Sequence, residues 1–184
     1  MRSGSVSLAA ALSLVVACSS SGTSTSTPSG PTEYDKLFAE AGGTPSDPQA
    51  LDGLWVVTVD GNDVRLRADG TNLRFGMKCG GVIFGVTAGY QVKSKEPMPG
   101  SKRTGFRGDL TVPQTQTAKG AGGEYTCELN VPAGAVGYTV QDGKLYLTGV
   151  GASAKKAPAA SSGSTTTGDG SGFGSLPEFT KIGD

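Results

Sequence analysis

The sequence predicts an all-β domain: an antiparallel up-and-down barrel of about eight strands, preceded by a short N-terminal helix. Three observations carry this reading. From Leu51 onward, apolar residues recur with a period of two, the mark of strands with one dry and one wet face. Asp60-Gly61, Asp69-Gly70 and Asp142-Gly143 each separate two such runs, as in tight hairpins. A parallel sheet covered on both faces would show continuous apolar runs instead of this alternation. Closing a meander into a barrel also removes exposed sheet edges. A β-sandwich is the alternative.

The first element is a leader over residues 1–17. Arg2 gives a thin positive start, Val6–Val16 form an apolar stretch interrupted only by Ser7 and Ser13, and small Ala17 follows. The stretch is shorter than the ~20 residues a membrane-spanning helix needs. Leu14-Val15-Val16-Ala17-Cys18 resembles the lipobox of bacterial lipoproteins. The resemblance implies cleavage before Cys18 and acylation of that residue with diacylglycerol and palmitate-type chains. Two or three chains anchor durably where one binds marginally, at ~0.8 kcal/mol per buried CH₂. Ordinary cleavage with a free Cys18 is the other reading. Ser19, rather than Asp, after the cysteine favours the outer membrane of a Gram-negative envelope by the same resemblance. The anchored membrane is then the first partner.

Residues 18–32 are the lipidated cysteine and its tether. Ser19–Thr32 contain only Ser, Thr, Gly and Pro, too little apolar area to offset ordering entropy. Their typical span is roughly 20 Å. Residues 33–50 are a short helix and connection, with Thr32 as N-cap, Glu33 and Asp35 in the first turn, and Gly42-Gly43 as the stop. Leu37 and Phe38 are its apolar contacts.

Residues 51–184 are the barrel. Val64, Leu66 and Ala68 alternate with Arg65 and Arg67, and Leu73, Phe75 and Met77 with Arg74 and Lys78. Tyr90 and Val92 follow, then Phe106, Leu110 and Val112 on one face. Tyr125, Cys127, Leu129 and Val131 alternate with polar residues, and Val136, Tyr138, Val140, Leu145 and Leu147 complete the series. Residues 151–175 read as a low-complexity loop. Apolar residues return at Phe179 and Ile182, so this loop is expected to bring back a last strand that closes the barrel. A loop this long without structure is uncommon, and a disordered tail is the competing reading.

Of three cysteines, Cys79 and Cys127 remain once Cys18 is set aside. In an exported protein an even pair reads as a disulfide. Cys79-Gly80-Gly81 reads as a bulge or corner.

Leu51-Asp52-Gly53-Leu54-Trp55, Asp69-Gly70-Thr71, Gly89-Tyr90-Gln91-Val92, Asp142-Gly143-Lys144-Leu145-Tyr146-Leu147 and Phe179-Thr180-Lys181-Ile182 follow in that order. The series resembles the small lipocalin-like domains of bacterial lipoproteins, in the calycin group, and more loosely the META-type lipoprotein domain. The lipocalin resemblance implies that Gly53 and Trp55 are the barrel-closing motif, with Trp55 packed across the closed end. A basic residue of the last strand, Lys181, would lie over it. The Thr-Asp-Tyr turn of lipocalins is missing.

Catalytic machinery is not legible. The chain has no histidine, which removes Ser-His-Asp and Cys-His arrangements and most zinc sites. Ser94-Lys95 and Ser101-Lys102 place neighbours on opposite faces of a strand. Asp60, Asp63 and Asp69 occupy turns, where Asp serves its own backbone, and Glu124 and Glu128 face outward. Asp60-Gly61-Asn62-Asp63 lacks calcium-loop spacing. No metal, cofactor or enzymatic activity is implied.

Formal charge is zero overall, but Arg65–Lys119 hold ten basic and three acidic residues, against seven acids and one lysine over Glu33–Asp63. Arg65, Arg67, Arg74, Lys78, Lys93 and Arg107 form a candidate anion-binding patch for an envelope glycolipid or an acidic partner. A solvated face neutralised by the acidic segment is the bland alternative. Few aromatics interleave with these cations, so nucleic acid is not expected. The functional expectation is a non-enzymatic envelope lipoprotein with a structural or binding role. The alternatives are a carrier of a small hydrophobic ligand, or adhesion through the basic face. An envelope protein is a further candidate partner.

Overall fold

The computed structural model describes residues 32–98, 105–157, 176 and 178–184. The leader, Cys18, the tether up to residue 31, and Lys102 and Arg103 lie outside the described residues. One helix, α1 (Glu33–Ala39), precedes twelve strands. The strands are β1 (Gly53–Val59), β2 (Asn62–Ala68), β3 (Asn72–Cys79), β4 (Val82–Gly89), β5 (Gln91–Pro97), β6 (Phe106–Val112), β7 (Gln116–Gly122), β8 (Tyr125–Val131), β9 (Gly134–Gln141), β10 (Lys144–Leu147), β11 (Gly151–Lys156) and β12 (Phe179–Gly183). The all-β class and the short helix are as expected, and every strand pair is antiparallel.

Three hairpins, β1–β2, β2–β3 and β9–β10, form where the Asp-Gly steps predict. Asp60-Gly61 and Asp142-Gly143 take positive φ at both positions, the conformation whose twist matches two-residue hairpins. Gly80-Gly81 does the same between β3 and β4, so this step is a hairpin turn and not the bulge or corner expected.

Nine strands form one curled sheet in the order β4-β3-β2-β1-β12-β10-β9-β6-β5, and β11-β8-β7 form a second. The strand count exceeds eight for a physical reason. The sequences β6–β7, β8–β9 and β10–β11 each cross from one sheet to the other, at Pro113, at Pro132 and at Gly149. Proline cannot donate to a ladder, and Gly149 has φ +77°. The ladder β10-β9-β6 therefore continues in the same strand order as β11-β8-β7, folded along this line. The edge strands β4 and β5 are joined by the single residue Tyr90, so the two edges of the large sheet meet at that corner.

Residues 151–156, read as the start of a low-complexity loop, are instead strand β11, paired with β8 from Gly151↔Asn130 to Lys156↔Tyr125. The returning strand is present as β12, between β1 and β10. Residues 158–175 lie outside the described residues.

One contiguous core joins both sheets. Trp55, Phe75, Met77, Leu110, Val136, Leu145 and Phe179 of the large sheet and Cys127, Leu129 and Val131 of the small one are all 0–1 % exposed. Phe106 and Tyr125, expected inside, are half-buried.

The helix sits outside the curl. Thr32 and Asp35 form a reciprocal capping box at its start. Its seat is a pair of outward-facing glycines opposite each other, Gly76 and Gly85. A Cβ on Gly76 would come within 3.2 Å of Leu37, and one on Gly85 would strike the Tyr34 ring. Leu37 is thereby 1 % exposed.

Candidate functional site

Gly53 and Trp55 of β1, expected to form a barrel-closing motif, come together with Lys181 of the adjacent strand β12. Trp55 and Lys181 are direct cross-strand partners of β1 and β12, with the Lys181 ammonium 5.6 Å from the Trp55 ring centroid. Such a cation over an indole is attracted by the ring's negative face. Trp55 is fully buried and donates its indole N–H to Leu51 O at 2.9 Å. The Lys181 side chain is likewise buried. Its Nζ donates to Asp47 O at 2.5 Å and Ala50 O at 3.5 Å, and pairs with Asp184 Oδ1 at 3.1 Å. These contacts use the three donors of an ammonium group.

The segment over 47–51 is thus a cover fastened from below by both residues. Its far side is held by Gly143 N to Pro48 O, 3.1 Å, and Asp142 N to Gln49 Oε1, 3.2 Å. Hydrogen bonds from Ser46, together with Lys181, pull the Asp184 carboxyl down to about 2. Gly53 lies under the Lys181 stem with φ +135°. A Cβ there would meet Lys181 Cε and stand 2.7 Å from Gly183 O.

Three of the six proposed anion-binding residues point outward from β2 and β3 but engage α1 and the last strand. Arg65 Nη1 donates to Leu37 O (3.0 Å) and Glu40 O (2.9 Å), closing the carbonyl end of the helix. Its guanidinium lies 5.3 Å from the Phe38 ring centroid. Arg67 pairs with Glu40 and donates to Asp184 O at 2.8 Å. Arg74 pairs with Glu33 at 3.2 Å.

The remaining cations lie elsewhere. Lys78 is exposed near the β3–β4 turn. Lys93, also exposed, donates to Gln91 at 3.2 Å, and Arg107 pairs with Glu96 at 3.6 Å across β5–β6. The six residues are therefore distributed over separate regions of the sheet. Two acids of the N-terminal segment, Glu40 and Glu33, pair with Arg67 and Arg74.

Cys79 and Cys127 form a disulfide, Cα atoms 6.0 Å apart, linking β3 of the large sheet to β8 of the small one. No group of three or more potential metal ligands occurs among the described residues.

Sequence reasoning missed a groove on the outer face of β5, β6, β9 and β10, with a volume of about 350 Å³. Its side chains come from two parallel rows of the ladder. One row runs Glu96, Arg107, Thr139, Tyr146, and the other runs Ser94, Asp109, Gly137 and on to Thr148. Gly137 contributes no side chain, and Thr148 packs over it, its Oγ1 accepting from Gly137 N at 2.8 Å. Tyr146 forms a wall, 47 % exposed. Its hydroxyl donates to Glu178, which Lys144 also contacts at 2.8 Å. Accepting these bonds lowers the Glu178 pKa, and donating to Glu178 raises that of Tyr146. Below the floor, burial and then the Asp109 charge raise the Tyr138 hydroxyl.

A second cavity of about 270 Å³ lies between the 49–52 segment and the inner ends of β5, β6 and β9. Leu51, Val92, Phe106 and Val140 line it, and Lys95 Nζ lies 4.2 Å from the Phe106 ring centroid. No signal in the sequence marks either concavity, because each is assembled from residues of several strands. Comparison with family models, curated proteins and solved structures yields no match to this chain.

Proposed function

We propose that this chain is an exported lipoprotein, anchored by acylated Cys18 in the cell envelope, whose β domain serves a non-enzymatic binding or structural role. The observation that carries the reading is the cysteine accounting. Of three cysteines, Cys79 and Cys127 are joined to each other. Cys18 is left at the end of an apolar leader, where a lipobox places its modified residue. A disulfide also fits an oxidising compartment. The outer membrane of a Gram-negative bacterium is the assignment that Ser19 favours.

The domain is read as a lipocalin-like barrel. Counting β4/β5, β6/β7, β8/β9 and β10/β11 each as one folded strand gives, with β1, β2, β3 and β12, eight staves. Closure would run from β7 to β4, where Gly120 lies against the Phe84 ring. The Gly53–Trp55–Lys181 arrangement supports the same reading. The packed core common to both sheets favours binding at the outer surface over a carrier role.

Membrane fractionation of the full chain in an exporting bacterial host tests the anchor. The wild type is expected in the membrane fraction, and Cys18→Ala in the soluble or secreted fraction. Wild-type protein recovered wholly soluble would overturn the proposal.

A further inference from the structure

We propose that the outer groove of β5, β6, β9 and β10 is a saccharide site, with the Tyr146 ring as platform for one face of a neutral sugar. This goes beyond the envelope anchor and does not depend on it.

Tyr146 is one of three large hydrophobic side chains left exposed among the described residues. Its ring is held by the hydroxyl bond to Glu178, which Lys144 braces in turn. A fixed, exposed aromatic face loses little freedom on binding. The C–H face of a pyranose is apolar and suits such a ring. The hydroxyls of the same sugar need donors and acceptors close by.

The groove supplies both. Arg107 offers N–H donors, and Thr139 offers a hydroxyl. Asp109 accepts from Ser94 Oγ at 3.3 Å and retains further acceptor capacity. Gly137 has no side chain, and the Thr148 side chain packs over it, which keeps the floor beside these groups low: a Cβ there would stand 2.9 Å from Thr148 Oγ1. A volume of about 350 Å³ is at the small end of ligand sites and fits a ring rather than a lipid chain.

The same groove argues against other ligands. Its formal charges are Glu96, Arg107 and Asp109, two negative and one positive, so a phosphate or polyanion is not attracted. A peptide strand added to β5 is also disfavoured. That edge carries Lys93, Lys95 and Pro97 and a register shift between Val92 and Ser94, features that guard open edges.

The test is isothermal titration of the full chain in detergent with three probes: maltotriose, chitotriose and mannotriose. At least one is expected to bind saturably. Tyr146→Ala should weaken that binding by about tenfold or more, as loss of a central aromatic contact does. Tyr146→Phe keeps the ring and should bind within about threefold of wild type. Circular dichroism checks that both variants fold. Should Tyr146→Ala fail to fold, Tyr146→Leu takes its place, since it keeps an apolar side chain but removes the ring face, and unchanged binding in it would equally overturn the proposal. Absence of saturable binding by all three probes, or binding unchanged in a folded Tyr146→Ala, overturns the proposal.

Discussion

Lys181 stands across from Trp55 on the neighbouring strand, its ammonium 5.6 Å from the centre of the indole ring and its side chain removed from water. A buried ammonium is tolerable only when its donors are used. Here the backbone carbonyls of the 47–50 segment and the Asp184 carboxylate use them. The pair therefore joins three parts of the chain: the cover before β1, β1 itself, and β12.

Removing the ammonium leaves the part-buried Asp47 and Ala50 carbonyls without this donor, which costs about 1–3 kcal/mol. Lys181→Met keeps the apolar stem and is expected to lose stability in that range by urea titration. Gly53→Ala should cost more than a surface Gly→Ala change, because a Cβ meets Lys181 Cε in a left-handed backbone. A Gly53→Ala midpoint equal to wild type would contradict this packing.

The disulfide closes a separation of 48 residues, for which chain entropy gives a stabilisation of about 4 kcal/mol. Replacing both Cys79 and Cys127 by Ser is expected to lower the urea midpoint correspondingly. The small sheet should loosen first, since the link joins β8 to β3. Hydrogen exchange on β7, β8 and β11 checks that order against β1–β3.

Arg65 and Lys93 separate the structural from the solvated cations. Arg65→Ala uncovers the last carbonyls of α1 and should cost about 1–3 kcal/mol in chemical denaturation. Lys93→Ala, on an exposed edge, should fall within about 0.5 kcal/mol of wild type. Equal effects would show that α1 is not held through Arg65.

Asp184 sets the acid response of the cover. Its folded pKa is about 2, against an ordinary 3.8. A depressed carboxyl contributes stability above the unfolded value and loses it as pH falls through the folded value. Asp184→Asn should therefore be less stable than wild type at neutral pH. The two melting temperatures should converge between pH 3.8 and about 2. A constant difference down to pH 2 would remove the Ser46–Asp184–Lys181 linkage from the account.

The legible parts of the fold are those with bulky residues in strict alternation. Strands β2, β3, β8 and β9 bury Val64, Phe75, Leu129 and Val136 at every second position, so periodicity marks them. Strand β7 turns only small residues, Ala118, Gly120 and Gly122, toward the core, and Gly120 is there to admit Phe84. Strand β11 buries only Gly151 and Ala152 and reads as filler. Its partner β8 decides its structure.

The seat of α1 depends on Gly76 and Gly85 meeting across a ladder, a juxtaposition set by register and not by spacing. The ion pairs Arg67–Glu40 and Arg74–Glu33 are tertiary for the same reason, so sequence alone left the cationic patch and its neutralised alternative equally describable. That Lys181 lies across from Trp55 is expected from the lipocalin-like resemblance alone, since no spacing in the sequence joins residues so far apart. The outer groove was not legible, because short side chains from four strands build it.

Intact mass spectrometry of the protein purified from its host membrane tests the central claim. The account predicts a chain beginning at Cys18, heavier than its sequence by a diacylglycerol and one further acyl chain. It also predicts the loss of two hydrogens for the Cys79–Cys127 bond. A chain retaining residues 1–17, or one with an unmodified thiol at Cys18, would contradict it.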